Sequence, residues 1–191
     1  MKKSGLGALH RVTAWATESG LTLGQVACAE KSNEITAIPE LLRLLDITGC
    51  TVTIDAMGGR KEIAARIVEQ KGDYVLGLKG NQSGLERDMC QLLEKELEAQ
   101  APVAAAQVHE TDETGHGRVE RRTCRAIPIP ATHPRRTLWA GLCTLVVVTS
   151  CRIIGARETW ETRLYISSHK PRAKTLLNRR MLGLSVLADP S

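Results

Sequence analysis

The chain has 191 residues, a formal net charge of +5 and 42% hydrophobic residues, but only 3% aromatic residues and no Phe. This is the length of one ordinary domain, or one plus an insert, with an aliphatic core and a basic balance that suits an anionic partner. The cysteines Cys28, Cys50, Cys90, Cys124, Cys143 and Cys151 form no C-x-x-C pair, which excludes zinc spacing and a dense disulfide framework and points to buried free thiols in a reducing cytosol. MKKSGLGALH has no apolar h-region, so it is not a secretion signal. The longest apolar run, AGLCTLVVV, is too short to cross a bilayer. The expectation is a soluble cytoplasmic protein with no membrane partner.

In chain order, residues 12–16 and 21–28 alternate about a TESG turn and predict a β-hairpin. Ser32-Asn33 can cap a helix over about 35–45, where Ile35, Ile38, Leu41, Leu42 and Leu45 recur at helical spacing. Residues 51–54 read as a short strand. Gly58-Gly59 makes a turn, and a second helix spans 61–71 with Ile63, Ala64, Ile67 and Val68 on its buried stripe and Gly72 after it. Residues 74–78 are nearly all apolar, as in a strand covered on both faces. A strand, a crossover helix and a second strand imply a parallel pair, hence an α/β protein.

An acidic helix over about 85–99 follows and reads as a solvated outer face, and the polar residues 100–117 read as a loop. Three further strands are expected at 119–127, 142–150 and 162–168. The pattern thus changes near residue 115 from alternating helices and strands to strands alone. Pro171 and Gly183 can bracket a last, basic helix carrying Leu176, Leu177 and Leu182.

The short strand in TVTIDAMGG ends on Asp55, and the next one ends in Lys79-Gly80-Asn81-Gln82. Functional groups collect at the carboxyl ends of parallel strands. A carboxylate, a cation and amides at one rim suit a divalent metal and a phosphodiester. The other reading makes Asp55 a helix cap and Lys79 a solvated cation. Spacing alone leaves both open and slightly favours the cap.

Three segments stand out: EKSNEITAIPELLRLLDITGCTVTIDAMGGRKEIAARIVEQKGDYVLGLKGNQ (residues 30–82), GHGRVERR (115–122) and TRLYISS (162–168). In this order they resemble the ISAs1-type, or H-repeat-associated, insertion-sequence transposases of the DDE group. The resemblance implies an RNase H-like fold and Mg²⁺-dependent (or Mn²⁺-dependent) DNA cleavage and strand transfer at insertion-sequence ends. It implies that Asp55, the TIDAM aspartate, is the second catalytic acid and a metal ligand. Lys79, Asn81 and Gln82 match the family's KGNQ and are expected near the DNA backbone.

The chain also departs from that pattern. The family's first acid lies in an IDGK-like strand before the hairpin, and MKKSGLGALHRVTAW contains no Asp. Its last acid lies in an HWxIEN-like helix, whereas YISSHKPRAKTLLNRRMLGLSVLADPS has neither the His-Trp pair nor a Glu. The expected fold is therefore an incomplete RNase H-like α/β fold with its first, central strand missing. The expected division is a partial core over 1–100, a β-rich insert and return strand over 101–168, and a divergent, frameshift-like tail over 169–191. Two sheet edges would stand open to aggregation or pairing. With one of three acids, the chain is expected to be inactive alone and to bind Mg²⁺ only weakly.

Arg118, Arg121, Arg122 and Arg125 cluster on one expected strand, with Arg121 and Arg125 on one face and Arg118 and Arg122 on the other. Arg118, Arg121 and Arg122 are candidate DNA-phosphate contacts, the alternative being a solvated charged surface. The five histidines do not fall at metal-ligand spacing, and Trp15, Trp139 and Trp160 are too scattered for a stacking platform. Two function classes follow: a catalytically dead remnant of a strand-transfer enzyme, or a non-catalytic fragment that binds DNA, itself or an intact transposase. A nucleotide-binding protein is disfavoured, because there is no G-x-x-x-x-G-K-[ST] loop.

Overall fold

The computed structural model describes residues 10–17, 19–28, 34–55, 59–80, 82–99, 106–115, 117–182 and 184–189. The capping pair Ser32-Asn33, the turn residue Gly58, Asn81, His116 and Gly183 lie outside the described residues.

The expected hairpin is present as β1 (His10–Ala16) and β2 (Leu21–Cys28), paired antiparallel with a bulge between Ala14 and Trp15. Then come α1 (Glu34–Arg43), β3 (Thr51–Ile54), α2 (Lys61–Glu69) and β4 (Asp73–Leu78). β3 and β4 are parallel, in register from Thr51↔Asp73 to Ile54↔Leu76, as the crossover through α2 requires. All four residues of β3 are buried, so its run of β-branched residues is a strand covered on both faces.

The α2–β4 turn differs in detail from the expectation. The left-handed residue is Lys71, with φ 58°, not Gly72. Gly72 is required for space, since a Cβ there would stand 3.0 Å from the Ile47 carbonyl oxygen.

α3 (Ser83–Glu98) follows β4. It is only partly the solvated face expected from its charges. Leu85 and Met89 are in the core, and Glu96 is 6% exposed, with Oε2 lacking a hydrogen-bond partner among the described residues. The expected loop over 100–117 is also corrected, because β5 (Gln107–Gly115) occupies half of it. Its sequence QVHETDETG has no apolar alternation because it is a sheet edge with both faces wet. The three later strands are longer than expected: β6 (Arg118–Pro128), β7 (Thr144–Ile154) and β8 (Arg157–Ser167), with the short α4 (Arg135–Leu138) between β6 and β7. The basic helix is α5 (Ala173–Leu182), and β9 (Leu184–Asp189) follows it.

The strands make one mixed sheet in the order β2-β1-β9-β3-β4-β8-β7-β6-β5. This is an α/β architecture compatible with an RNase H-like fold. The expected open edges between β1 and β3 are not found. β9 lies there, antiparallel to β1 from Arg11↔Asp189 to Ala16↔Leu184, and parallel to β3 at Val52↔Leu184 through Ile54↔Val186. The central position is filled by residues from the segment read as a divergent tail. Its backbone N–H and C=O groups satisfy two neighbours that would otherwise present unpaired edges.

Both faces of the sheet are packed. On one, Leu41 and Leu42 of α1, Ile63 and Ile67 of α2, and Leu85 and Met89 of α3 cover Val52, Ile54, Leu76 and Ile166. On the other, Ala173, Leu176 and Leu177 of α5 cover Val75, Cys124, Ala126, Val146 and Val148. Each large aliphatic side chain removed from water stabilises the fold by roughly 1.5–3 kcal/mol. Leu41→Ala, in the larger cluster, would cost about 2–5 kcal/mol.

Candidate functional site

Asp55 follows the last residue of β3 and is exposed, at the carboxyl rim of the parallel strands. It lines a cleft of about 290 Å³ together with Lys79, Glu86, Glu161, Thr162, Arg163 and Tyr165. Asp55 and Lys79 were anticipated there, and the structure brings them together. Gln82 stands at the N-cap of α3 without a side-chain capping bond. Glu86 and Glu161 were not anticipated. Glu86 belongs to the helix expected to present a solvated face, and Glu161 lies just before the TRLYISS segment. The β4–β8 register, which the sequence does not display, brings Glu161 to this cleft, and the packing of α3 after β4 brings Glu86.

Glu86 fixes the rim loop: its Oε2 accepts a hydrogen bond from the Gly80 backbone N–H at 2.7 Å. Arg163 donates from Nε to Glu161 Oε1 at 2.8 Å. The cleft therefore holds three carboxylates and two cationic side chains, a mixture suited to a partner whose own charges alternate with polar groups.

The register explains what lies next to it. β4 meets β8 antiparallel, with Leu78 opposite Leu164. β8 begins at Arg157, so its residues 157–163 run on past the end of β4. At about 3.3 Å per residue this overhang is about 20 Å long. β6 and β7 continue beside it to Arg118↔Ile154 and Ile154↔Arg157. The strands β6, β7 and β8 thus form a ribbon that projects past the rim occupied by Asp55.

One face of this ribbon is charged. Alternate residues share a face, and the pairings align Arg118, Ile154 and Arg157 in one row, Glu120, Arg152 and Thr159 in the next, and Arg122, Ser150 and Glu161 in the third. Glu120, Arg122, Ser150, Arg152, Thr159, Glu161 and Arg163 line a second cleft of about 400 Å³. It shares Glu161 and Arg163 with the cleft at Asp55, so one track runs from Asp55 along β8 onto the ribbon.

The expected arginines divide between the two faces as their alternation requires. Arg122 is on the track. Its Nε and Nη2 donate to Glu120 Oε1 at 3.1 and 2.7 Å, and its Nη1 donates to Glu113 Oε1 at 3.3 Å. Arg118 is on the same face, at the far end. Arg121 is on the opposite face, exposed, with Nε 3.6 Å from Asp112 Oδ1. Arg152, Arg157 and Arg163 join the track and were missed, because each stands alone in its own sequence neighbourhood and meets the others only across strands.

Burial pushes the Glu120 carboxyl up, but the Arg122 hydrogen bond and charge, helped by Arg152 and Arg118, outweigh it and hold the group below the ordinary carboxylate range. Among the described residues, no three His, Cys, Asp or Glu side chains stand close enough together to hold a metal ion. Glu161 Oε1 is bonded to Arg163 and Glu86 Oε2 to the Gly80 amide, and without a cluster of three ligands the described donor set does not complete a site for a divalent cation. Among the described residues Cys50, Cys90, Cys143 and Cys151 form no disulfide, and Cys124 and Cys151 are buried while Cys50 is exposed. No helix among the described residues is long and apolar enough to cross a membrane.

Residues 2–179 match the family model described as a transposase DDE domain. The chain is 41% identical over 162 residues to an uncharacterized protein in the dhlA 3′ region of Xanthobacter autotrophicus, covering 85% of this chain and 54% of that protein. It is 41% identical over 172 residues to the H repeat-associated putative transposase YhhI of Escherichia coli K12, covering 85% of this chain and 43% of that protein. Over 81 residues it is 51% identical to the H repeat-associated putative transposase YbfD of the same organism, covering 42% of this chain and 32% of that protein. The chain spans about half the length of the first two relatives.

Proposed function

The chain belongs to the transposase DDE domain family, and from that premise we propose that it binds DNA at insertion-sequence ends along the track from Asp55 to the β6–β8 ribbon. The observation that carries this reading is the continuity of the two clefts through Arg163 and Glu161. A strand of DNA laid along the track meets Lys79 and Arg163 beside the TIDAM aspartate, then Arg122 and Arg152 beyond it. Phosphate contacts of this kind fix position and supply affinity without reading sequence.

Members of this family generally use divalent metal ions. Asp55 corresponds to a metal-binding acid by its motif, but its described neighbours do not complete a metal site. The 191-residue chain is therefore proposed to dock DNA without cutting or joining it unaided. Asp55 marks the place on the track where the family's chemistry would be carried out. Lys79 and Gln82, with Asn81 between them, are assigned to the phosphates flanking that point.

The test is a pair of assays on one preparation. Fluorescence anisotropy with a labelled duplex carrying an insertion-sequence end should show binding that weakens steeply with salt. A strand-cleavage and joining assay with Mg²⁺ or Mn²⁺ should show no product above an Asp55→Asn control. Salt-insensitive binding would remove the DNA-docking role. Product that disappears in Asp55→Asn would remove the proposed inactivity.

A second reading, association with another transposase copy, is favoured by β2. It is an outer strand of the sheet and carries Leu21 and Leu23 at 59% and 49% exposure. Long edge strands with exposed apolar residues pair readily. Light scattering on wild type and Leu23→Lys would reveal such a dimer and its loss.

A further inference from the structure

We propose that Arg118, Arg122 and Arg152, gathered around the buried carboxylate of Glu120, form a prearranged binding site for the phosphates of a DNA backbone, with Glu120 as their positioning residue. This rests on the DNA-docking reading and names the contact that gives it most of its affinity. Arg152 lies outside the segments that carry the family resemblance, and Glu120, inside GHGRVERR, is given no role by it.

Glu120 is only 9% exposed, although it lies on a projecting ribbon. Arg122 donates to its Oε1 through two nitrogens, and Arg152 is its cross-strand partner on β7. Arg118 precedes it by two residues on the same face of β6. Arg122 is therefore bonded to the carboxylate, while Arg152 and Arg118 act on it through their charge, and Glu113 pairs with Arg122 as well. Charge balance leaves the cluster cationic. Arg118 and Arg152 are exposed, so their donors are open to solvent on the side away from Glu120.

A guanidinium presents five donors in a planar fork, and a carboxylate occupies at most part of it. Held by Glu120, Arg122 gives up its side-chain freedom before any ligand arrives. That lowers the ordering cost of binding a phosphate. The neighbouring Ser150 and Thr159 add hydroxyl groups to the lining of the same cleft. The spread of cations along strands, rather than around a closed pocket, suits a chain of phosphates over a single small anion.

The arrangement separates two effects that usually run together. If these arginines act only as diffuse positive charge, removing Glu120 raises the net charge and tightens DNA binding. If Glu120 holds them in place, Glu120→Gln weakens binding despite the added positive charge.

The experiment is fluorescence anisotropy of a labelled DNA duplex against the full chain across a salt series, for wild type, Glu120→Gln, Arg152→Gln and Arg118→Gln. Arg152→Gln and Arg118→Gln should each lower the slope of log K against log[salt] by about 0.9, and Glu120→Gln should weaken binding several-fold. Arg152 and Arg118 are exposed, so their variants test the site even where Glu120→Gln fails to fold. Tighter binding by a folded Glu120→Gln, or an unchanged slope in both arginine variants, overturns the proposal. Wild-type binding with unchanged variant slopes removes this site but leaves DNA docking standing. Wild type that binds no DNA removes both. A parallel titration with inorganic pyrophosphate should compete only weakly. Displacement of the duplex at equimolar pyrophosphate would reassign the cluster to a free anion and overturn the DNA assignment.

Discussion

The backbone N–H of Gly80 donates to Glu86 Oε2 over 2.7 Å, closing the loop after β4 onto the first turn of α3. This one bond sets where Lys79 leaves the strand and so shapes the cleft beside Asp55. Hydrogen bonds to charged groups contribute about 1.5–3 kcal/mol where they are buried, and less at a wet rim such as this. Glu86→Ala should therefore lower stability by roughly 1 kcal/mol, read as a shift in the urea midpoint. It should also speed hydrogen exchange at the Gly80 amide. Unchanged exchange at that amide would show that the loop is held by something else.

Gly84 is the second residue of α3, and glycine in a helix interior costs about 0.5–1 kcal/mol relative to Ala, an upper bound for this first-turn position. A Cβ at this position would stand 2.9 Å from Arg135 Nη2. Arg135 is tied down by its Nε bond to Asp88 Oδ2 at 2.6 Å. Gly84→Ala alone should therefore yield little or none of the usual gain. Combined with Arg135→Ala, the same change should recover it, giving a coupling energy of at most about 0.5–1 kcal/mol in a double-mutant cycle. Strict additivity would show that the guanidinium moves aside without cost.

Glu120 has its carboxyl held below its ordinary value of 4.5 by Arg122. A depressed folded-state value means that the stability it contributes is present above about pH 4.5 and is lost as pH falls through the folded value. Urea midpoints followed from neutral pH down to about pH 3 should fall more steeply for wild type than for Glu120→Gln. Parallel profiles would mean that the Arg122–Glu120 pair adds nothing to folding.

Val186 pairs on one side with Ala14 and on the other with Ile54. Proline there removes a ladder donor in the middle of the sheet, where strands do not tolerate it. Val186→Pro should cost about 3 kcal/mol or more and lower the cooperativity of unfolding, because β9 is the strand that joins the β1–β2 hairpin to β3 in the sheet. A single transition with an unchanged midpoint would show that β9 is not part of the stable sheet.

The parts of the fold that were legible in the sequence are those whose partners are local. TVTI and DYVLGL read as buried strands because both of their faces are covered, and α2 reads as a helix because its apolar residues repeat against the same sheet. β5 was hidden because an edge strand wet on both faces needs no apolar residue. At the site, Asp55 and Lys79 stand at strand ends and could be paired by the parallel rule. Glu161, Arg163, Arg152 and Glu120 belong to one surface only through the β6–β7–β8 register, and residue spacing along a strand does not show which residue lies across from it.

The position of β9 also bears on how the chain folds. Leu184 pairs with Val52 and Asp189 with Arg11, contacts between residues far apart in sequence. Contacts so distant in sequence are slow to form, since the loop they close is long. During that interval β1 and β3 each expose a row of unmatched amides, which is when the chain is most vulnerable to pairing with a neighbour. Refolding should accordingly end in a slow phase that lengthens with dilution of stability in β9 but ignores changes in the β1–β2 turn. The yield of monomer should fall as protein concentration rises.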